Sequence, residues 1–270
     1  MFKYKYLVLS DLDGTLLNSE GLISEGTKKF VHELNKRDDV LFCFSTGRCW
    51  RDCKGIYDEL ELKGFVSCCN GAFIYNPREE IARYSFISEK LWTLFLENSY
   101  FTKGLIKGDV LTDKGSFSLT ENNGREVLAQ LRECKANVYG MKTYFDYSKP
   151  TPEFELEFIK RVNDIKKLDC PPSLTIFHYP GILNLEIQAN YVSKERSVEF
   201  LGNYYGIAPK NILTFGDQVN DLSVAMGVSR FYAVRNALDS VKQASDRVSE
   251  YSNDEDSVVK ELQIFLSKEI

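Results

Sequence analysis

Histidine is scarce in this chain: only His32 and His178 occur among 270 residues. A cysteine nucleophile partnered by histidine therefore has little to draw on, since such a site needs both groups brought together in space. The seven cysteines are an odd number and lack paired metal-ligand spacing; Cys68 and Cys69 are adjacent, and Cys49 and Cys53 stand one helical turn apart. They read as reduced thiols, many of them buried, and point to the cytosol. An excess of positive charge is also missing, with 34 Lys and Arg against 39 Asp and Glu and a net charge of −5. That balance argues against a nucleic-acid footprint, which is usually basic. No apolar run approaches the length of a membrane span, and the first residues lack the apolar core and small-residue cleavage site of a signal peptide. Neither a nucleic acid nor a membrane is expected as a partner. Internal repeats and low-complexity linkers are absent as well.

What is present suits a soluble globular protein, with 43% apolar and 27% charged residues. The length allows one large domain or two modest ones. The apolar run Tyr6-Leu7-Val8-Leu9 reads as a buried strand. Ser24 caps a helix through Phe30, Val31 and Leu34, with Lys36 and Arg37 near its end, where positive charge suits the dipole. Val40–Phe44 is a second buried strand, followed by a helix to about Leu60. Phe65–Cys69 is a third, closed by the Asn70-Gly71 turn. Strands alternating with helices imply an α/β fold with a doubly wound, Rossmann-like parallel sheet.

The rhythm changes near residue 82. From there to 187 short strands mix with helices around Leu91–Leu96, Val127–Leu131 and Phe154–Leu168, and Thr112-Asp113-Lys114-Gly115 reads as a hairpin turn. Strands follow at Leu174–Phe177 and Ile182–Ile187. The doubly wound pattern then resumes: a helix over Lys194–Tyr205, strands over Ile212–Phe215 and Phe231–Val234, a helix beginning over Asp221–Met226, and a C-terminal helix over Ser257–Leu266. Residues 1–81 and 188–270 thus form one domain, and 82–187 an inserted α+β unit.

Four short segments carry chemistry. Ser10-Asp11-Leu12-Asp13-Gly14-Thr15 follows the first strand and sets two carboxylates one residue apart. Alternate strand residues point the same way, so Asp11 and Asp13 are expected to face one site at the carboxyl end of the sheet, where open α/β sheets bind ligands. Like charges this close repel unless a cation or a shared proton relieves them; a magnesium ion with oxygen ligands would do so and would recruit a phosphate. An ordinary Asp-Gly turn is the structural alternative. A calcium loop is excluded, because its twelfth position requires Glu and is here Leu22. Ser45-Thr46-Gly47-Arg48 ends the second strand, where a hydroxyl and backbone amides can hold a phosphate oxygen or simply cap the next helix. Lys194 opens a helix, where a cation opposes the dipole, so a nearby anion would explain it. Gly216-Asp217-Gln218-Val219-Asn220-Asp221 again joins a strand to an acidic helix start, with a capped turn as the alternative.

In this order, Asp-x-Asp-Gly-Thr-Leu, Ser-Thr-Gly-Arg, Ser-Lys and Gly-Asp-x-x-Asn-Asp resemble the four motifs of the haloacid dehalogenase superfamily of phosphohydrolases. Asn70-Gly71-Ala72, Asn236-Ala237 and Ser252-Asn253-Asp254-Glu255-Asp256 add likeness to its Cof-type branch, whose α+β cap is inserted between the second and third motifs. Two positions depart from the usual pattern: Glu195 replaces the Gly that often follows the motif lysine, and Ser257 replaces a Gly near the C-terminal helix. The resemblance implies Mg²⁺-dependent hydrolysis of small phosphate monoesters, foremost sugar phosphates, through an aspartyl-phosphate. It implies Asp11 as nucleophile and Asp13 as acid and base, with Asp11, Asp217 and the Asp13 carbonyl as metal ligands. Thr46 (with Ser45 as the lesser substitute), Gly47, Lys194 and Asn220 would hold the phosphoryl group. Asp221 would support the site, and Arg48 would contact substrate or fix its helix. The partner implied is a small phosphorylated metabolite, which the cap would select and shield from water. A phosphomutase of the same superfamily and a non-catalytic phosphate-binding protein are the alternatives.

Overall fold

The structure, a computed structural model, describes residues 4–225 and 227–269. In chain order the first part runs β1 (Tyr6–Ser10), α1 (Glu25–Leu34), β2 (Val40–Ser45), α2 (Trp50–Glu59), β3 (Val66–Cys68), β4 (Phe73–Asn76) and β5 (Ile81–Tyr84). The middle part holds α3 (Glu89–Glu97), α4 (Ser99–Thr102), β6 (Leu105–Thr112), β7 (Gly115–Leu119), α5 (Gly124–Glu133), β8 (Val138–Asp146), α6 (Pro152–Lys166), β9 (Ser173–Tyr179) and β10 (Ile182–Gln188). The last part holds α7 (Lys194–Tyr205), β11 (Ile212–Gly216), β12 (Arg230–Ala233), α8 (Asp239–Ala244), β13 (Arg247–Val248) and α9 (Ser257–Glu269). No helix among the described residues is long and apolar enough to cross a membrane.

The chain divides into two compact units, Met1–Arg83 with Ser193–Ile270, and Tyr84–Val192. The second unit begins two residues later than the expected 82, because β5 pairs at the edge of the first sheet, and ends five later than 187, where Gln188 still pairs with Ser173 and Gly140.

The first unit is an α/β fold on an eight-stranded sheet ordered β13-β12-β11-β1-β2-β3-β4-β5. Pairing is parallel from β13 to β3 and antiparallel between β3 and β4. Every residue of β1, β2 and β11 is buried. Continuous apolar runs are what a parallel strand covered on both faces requires. From β1 the chain moves outward through β2 and β3, and after the insertion it returns on the other side of β1 as β11. The order therefore reverses between β1 and β11, with Ser10 in register with Phe215. A crevice at the carboxyl ends of strands forms at such a reversal.

Local details follow from single residues. Ser24 accepts the Thr27 N–H and starts α1, as expected. That helix ends at Leu34, so Lys36 and Arg37 lie beyond it, and Arg37 instead forms two 2.8 Å bonds to Asp39. The segment Val219–Ala225 forms 3₁₀ turns rather than the start of an α-helix, and Met226, the last residue of the expected helix start, lies outside the described residues. Asp221 supplies the reason: its carboxylate accepts the Asp217 and Gln218 N–H groups, both at 3.1 Å, which winds the segment tightly from its start.

The second unit is a five-stranded antiparallel sheet ordered β7-β6-β8-β10-β9. Val110, Met141, Phe145, Leu183, Leu185 and Ile187 share one face of it and pack in one core with Leu91, Phe95, Val127, Leu131, Phe158 and Val162 from the helices. The other face carries a polar row in register, Asp109, Lys142, Glu186 and Thr175.

Leu7 is fully buried in the central strand of the first unit and belongs to its core. Leu7→Ala is expected to cost about 3 kcal/mol, the usual range for a large-to-small core change. A urea midpoint unchanged from the parent protein would contradict this packing.

Candidate active site

Three carboxylates and one ammonium converge where the sheet order reverses. Asp11 follows β1 directly, and its N–H donates to the Phe215 carbonyl of β11 at 2.9 Å. Its Oδ1 accepts the Lys194 Nζ at 2.7 Å, and the same Nζ donates to Asp221 Oδ1 at 2.7 Å. Lys194 is the first residue of α7, capped by Ser193, whose Oγ accepts the Arg196 N–H. The anion that its unfavourable helix position called for is thus Asp11 together with Asp221. Asp217 follows β11 and accepts the Thr15 hydroxyl at 2.9 Å.

Two glycines make this approach possible. Gly14 has φ +74°, and a Cβ there would lie 2.5 Å from Asp217 Oδ2. At Gly216 a Cβ would fall 2.3 Å from the Asp221 carboxyl carbon. Any side chain at either place would push an acidic group out of the cluster.

The charges do not balance within the cluster. Asp11, Asp217 and Asp221 each bring a ligand oxygen within 4.8 Å of the others, all are buried, and Lys194 bonds two of them, Asp11 and Asp221. Burial, outweighing the pull of Lys194, raises Asp11 to about 7, with Asp221 adding to the rise. Burial raises Asp217 to about 8, reinforced by Asp11 and Asp221. Burial alone would lower the Lys194 ammonium, but its two carboxylate partners outweigh that and hold it above the ordinary lysine value. An all-oxygen, net-negative donor set fits a hard divalent cation. Both Asp221 oxygens already bond Lys194 and the Asp217 and Gln218 amides. Asp11 and Asp217 would therefore hold the ion, with Asp221 as scaffold.

Asp13 stands apart from this trio. The strand ends at Ser10, and Leu12–Leu16 forms a wide helical turn with Asp13 at φ −73°, ψ 122° and Gly14 at φ +74°. The strand alternation that was expected to aim both carboxylates the same way therefore does not reach residue 13. Asp11 is buried, whereas the Asp13 side chain is 56% exposed and pairs with Arg48, whose Nε donates to Oδ2 at 2.8 Å. Asp13 also holds the Arg48 guanidinium above its ordinary pKa. Arg48 is thus a partner of Asp13.

At the end of β2, Thr46 is buried and its Oγ1 accepts the Arg48 N–H at 3.1 Å, while Gly47 lies half-buried between them. The adjacent Ser45 Oγ is buried without a partner. Asn220 donates through Nδ2 to Asn70 Oδ1 at 3.0 Å, and its own Oδ1 is buried and unbonded. Asn70 sits in a left-handed conformation, φ +56°, with its N–H on the Thr46 carbonyl. Asn70 and Thr15 thus support site residues, roles that sequence reasoning did not assign to them. Asn236 holds the Gly14 carbonyl at 2.7 Å, and Asn253 holds that of Leu17 at 2.9 Å. Their signals were the Asn-Gly turn and the two late Asn motifs.

Comparisons with known proteins place the chain in a family. The family profile of haloacid dehalogenase-like hydrolases matches residues 8–262. A 5-amino-6-(5-phospho-D-ribitylamino)uracil phosphatase of Bacillus subtilis is 27% identical over 97% of this chain and 98% of its own. Another phosphatase of Bacillus subtilis is 26% identical over 93% of this chain and 96% of its own. The crystal structure of a haloacid dehalogenase-like hydrolase from Bacteroides thetaiotaomicron superposes with TM-score 0.74 at 22% identity, covering 97% of this chain and 100% of that one. The chain belongs to the haloacid dehalogenase-like hydrolases, as a phosphatase of the Cof-type branch.

Proposed function

We propose that the protein hydrolyses small phosphate monoesters, foremost sugar phosphates, with Mg²⁺ and through an aspartyl-phosphate on Asp11. The observation that carries this reading is the buried Asp11, Asp217 and Asp221 cluster bridged by Lys194. When bound, Mg²⁺ supplies charge neutralisation for the phosphoryl oxygens and lowers the repulsion between them and the nucleophile.

Asp11 attacks phosphorus in line through a carboxylate oxygen, and the P–O bond to the alcohol breaks as the acyl-phosphate forms. Lys194 holds Asp11 in place and offsets negative charge on the equatorial oxygens. Thr46 and Asn220 donate hydrogen bonds to those oxygens. Asp13 gives its proton to the departing alcohol, then takes one from the water that hydrolyses the acyl-phosphate. Its partial exposure suits this exchange, and Arg48 orients it. The inserted unit sets which alcohol is accepted. A ribityl phosphate, as in the first relative's name, is a phosphorylated polyol and falls in the same chemical class as a sugar phosphate.

A panel of sugar, nucleotide and cofactor phosphates, with free phosphate as readout, tests the reading. Asp11→Asn is expected to lower turnover at least ~1,000-fold, as for other nucleophile losses. Full activity in that variant would remove Asp11 from the role, and isomerised sugar phosphate in place of free phosphate would make the protein a mutase. Asp13→Ala should be worse on an alkyl phosphate than on p-nitrophenyl phosphate, whose leaving group needs no proton. With the latter it should release one p-nitrophenolate per enzyme in a burst and then stall. Equal losses on both substrates, without a burst, would exclude the acid-base role.

The folded-state pKa values of Asp11 and Asp217, about 7 and 8, lie above the ordinary carboxylate value. The folded form then binds more protons than the unfolded one, so stability falls as pH rises from about 4 toward 8. Metal-stripped protein should therefore melt lower at pH 8 than at pH 6, and Mg²⁺ should restore most of the loss. Asp217→Asn should raise the melting temperature of the stripped protein at pH 8 and abolish the Mg²⁺ response. A Mg²⁺ shift that survives this substitution would place the ion elsewhere.

A further inference from the structure

Four of the seven cysteines gather beside the site, where β2 leads into α2 and β3 into β4. Their sulfurs make two close approaches, Cys53 to Cys68 at 3.5 Å and Cys49 to Cys69 at 3.6 Å. The two pairs differ in environment. Cys53 and Cys68 are fully buried, Cys53 also donates to the carbonyls of Cys49 and Trp50, and burial holds the Cys68 thiol well above its ordinary value. Such thiols are inert. Cys49 is partly exposed and occupies the N-cap of the ten-residue α2, the end of a helix where its dipole favours negative charge, and its side chain is not tied up in a cap bond. Cys69 points its S–H at that sulfur. One partly exposed cysteine at a helix start, with a second sulfur already in contact, is the arrangement of an attacking and a resolving cysteine.

We propose that Cys49 and Cys69 are a hydroperoxide-sensitive pair whose closure to a disulfide switches the adjacent active site off. The Cys49 thiolate attacks the peroxide, the O–O bond breaks, and water leaves once its oxygen is protonated, giving Cys49 sulfenic acid. The Cys69 sulfur then attacks the Cys49 sulfur, and hydroxide departs with the Cys69 proton as a second water. Two thiols are oxidised and one peroxide is reduced to two waters.

Closure couples to the site through the backbone. A disulfide is about 2.05 Å long, so the sulfurs must approach by roughly 1.5 Å. Cys69 donates its N–H to the Arg48 carbonyl and Asn70 to that of Thr46, which ties both segments to site residues. Cys69, Asn70 and Gly71 all have positive φ, at +50°, +56° and +102°. Behind them Gly71 is pressed against α7: a Cβ there would lie 2.5 Å from Ser197 Oγ and 2.7 Å from the Ser193 carbonyl. The loop has no slack in that direction, so closure displaces Asn70, which holds Asn220, and Arg48, which holds Asp13. Misplacing a reactive group by about 1 Å can cost 100-fold in rate.

The effect on turnover rests on the phosphatase reading, whereas formation of the disulfide does not. The test treats Mg²⁺-loaded full-length protein with hydrogen peroxide, blocks remaining thiols with N-ethylmaleimide, and maps disulfides by peptide mass. p-Nitrophenyl phosphate turnover is followed in parallel. A Cys49–Cys69 linkage is expected, with a turnover loss of at least tenfold that dithiothreitol reverses. Cys49→Ser and Cys69→Ala should each keep their activity under peroxide, while Cys53→Ala should still switch. The Asp11→Asn variant should form the same linkage without turning over, which separates failure of the pair from failure of the reaction. Absence of the linkage, a linkage that leaves turnover unchanged, or equal peroxide loss in Cys49→Ser would overturn the proposal.

Discussion

One ammonium group organises this site. Lys194 reaches Asp11 and Asp221 at 2.7 Å each, partners 183 and 27 residues away in sequence. It thereby joins the end of β1, the start of α7 and the turn after β11. A buried ion pair is weak evidence for stability, because desolvating the charges can cost as much as their attraction returns. Its value here lies in position. With the ammonium absent, the buried carboxylates would lose that counter-charge and would have to be relieved by protons or a cation instead.

The sheet order makes that meeting possible. Because the chain leaves β1 in one direction and returns in the other, the Asp11 and Asp217 turns leave adjacent parallel strands without a loop crossing between them. Gly14 and Gly216 then allow the turns to close to contact distance. The neighbouring carbonyls are held from outside the cluster: Asn236 bonds Gly14, and Asn253 bonds Leu17. Asn236 also accepts the Asn253 N–H at 2.9 Å, so one asparagine chain braces the whole Asp13-Gly14-Thr15 turn.

Much of this was legible in the sequence, and unevenly so. The strands β1, β2 and β11 stand out because burial on both faces demands unbroken apolar runs, and α7 spans the expected Lys194–Tyr205, with Ser193 and Gly206 as its caps. The acidic and basic site residues were legible through their ordered motifs. Strand alternation does not carry as far as Asp13, because the strand stops at Ser10 and the turn through Gly14 sets the direction of the residues after it. The bonds of Asn70 to Asn220 and of Thr15 to Asp217 were hidden for another reason. They join residues 150 and 202 positions apart, and a single sequence carries no sign of such pairings. The 3₁₀ winding at Val219 was missed because its cause is Asp221 folding back onto amides of its own turn.

In the proposed reaction, the separation of Asp11 from Asp13 is the basis for two chemistries from one residue type. Asp11 lies in a closed cluster where its near neighbours are charges, so its state answers to Lys194 and to whatever cation joins Asp217. Asp13 lies two residues on, largely in solvent, with an arginine that keeps its charge in any ordinary buffer. A nucleophile must stay unprotonated and fixed in line with phosphorus, while an acid-base group must gain and lose a proton in each cycle. Had β1 continued through residue 13, both side chains would have entered the same cluster. Asp13 would then have been closed off like Asp11, whose pKa it already helps to raise, and neither would have had ready exchange with water. The early end of the strand and the left-handed turn at Gly14 keep the two side chains in different surroundings, so in the proposed reaction the backbone of Leu12–Leu16 divides the labour between them.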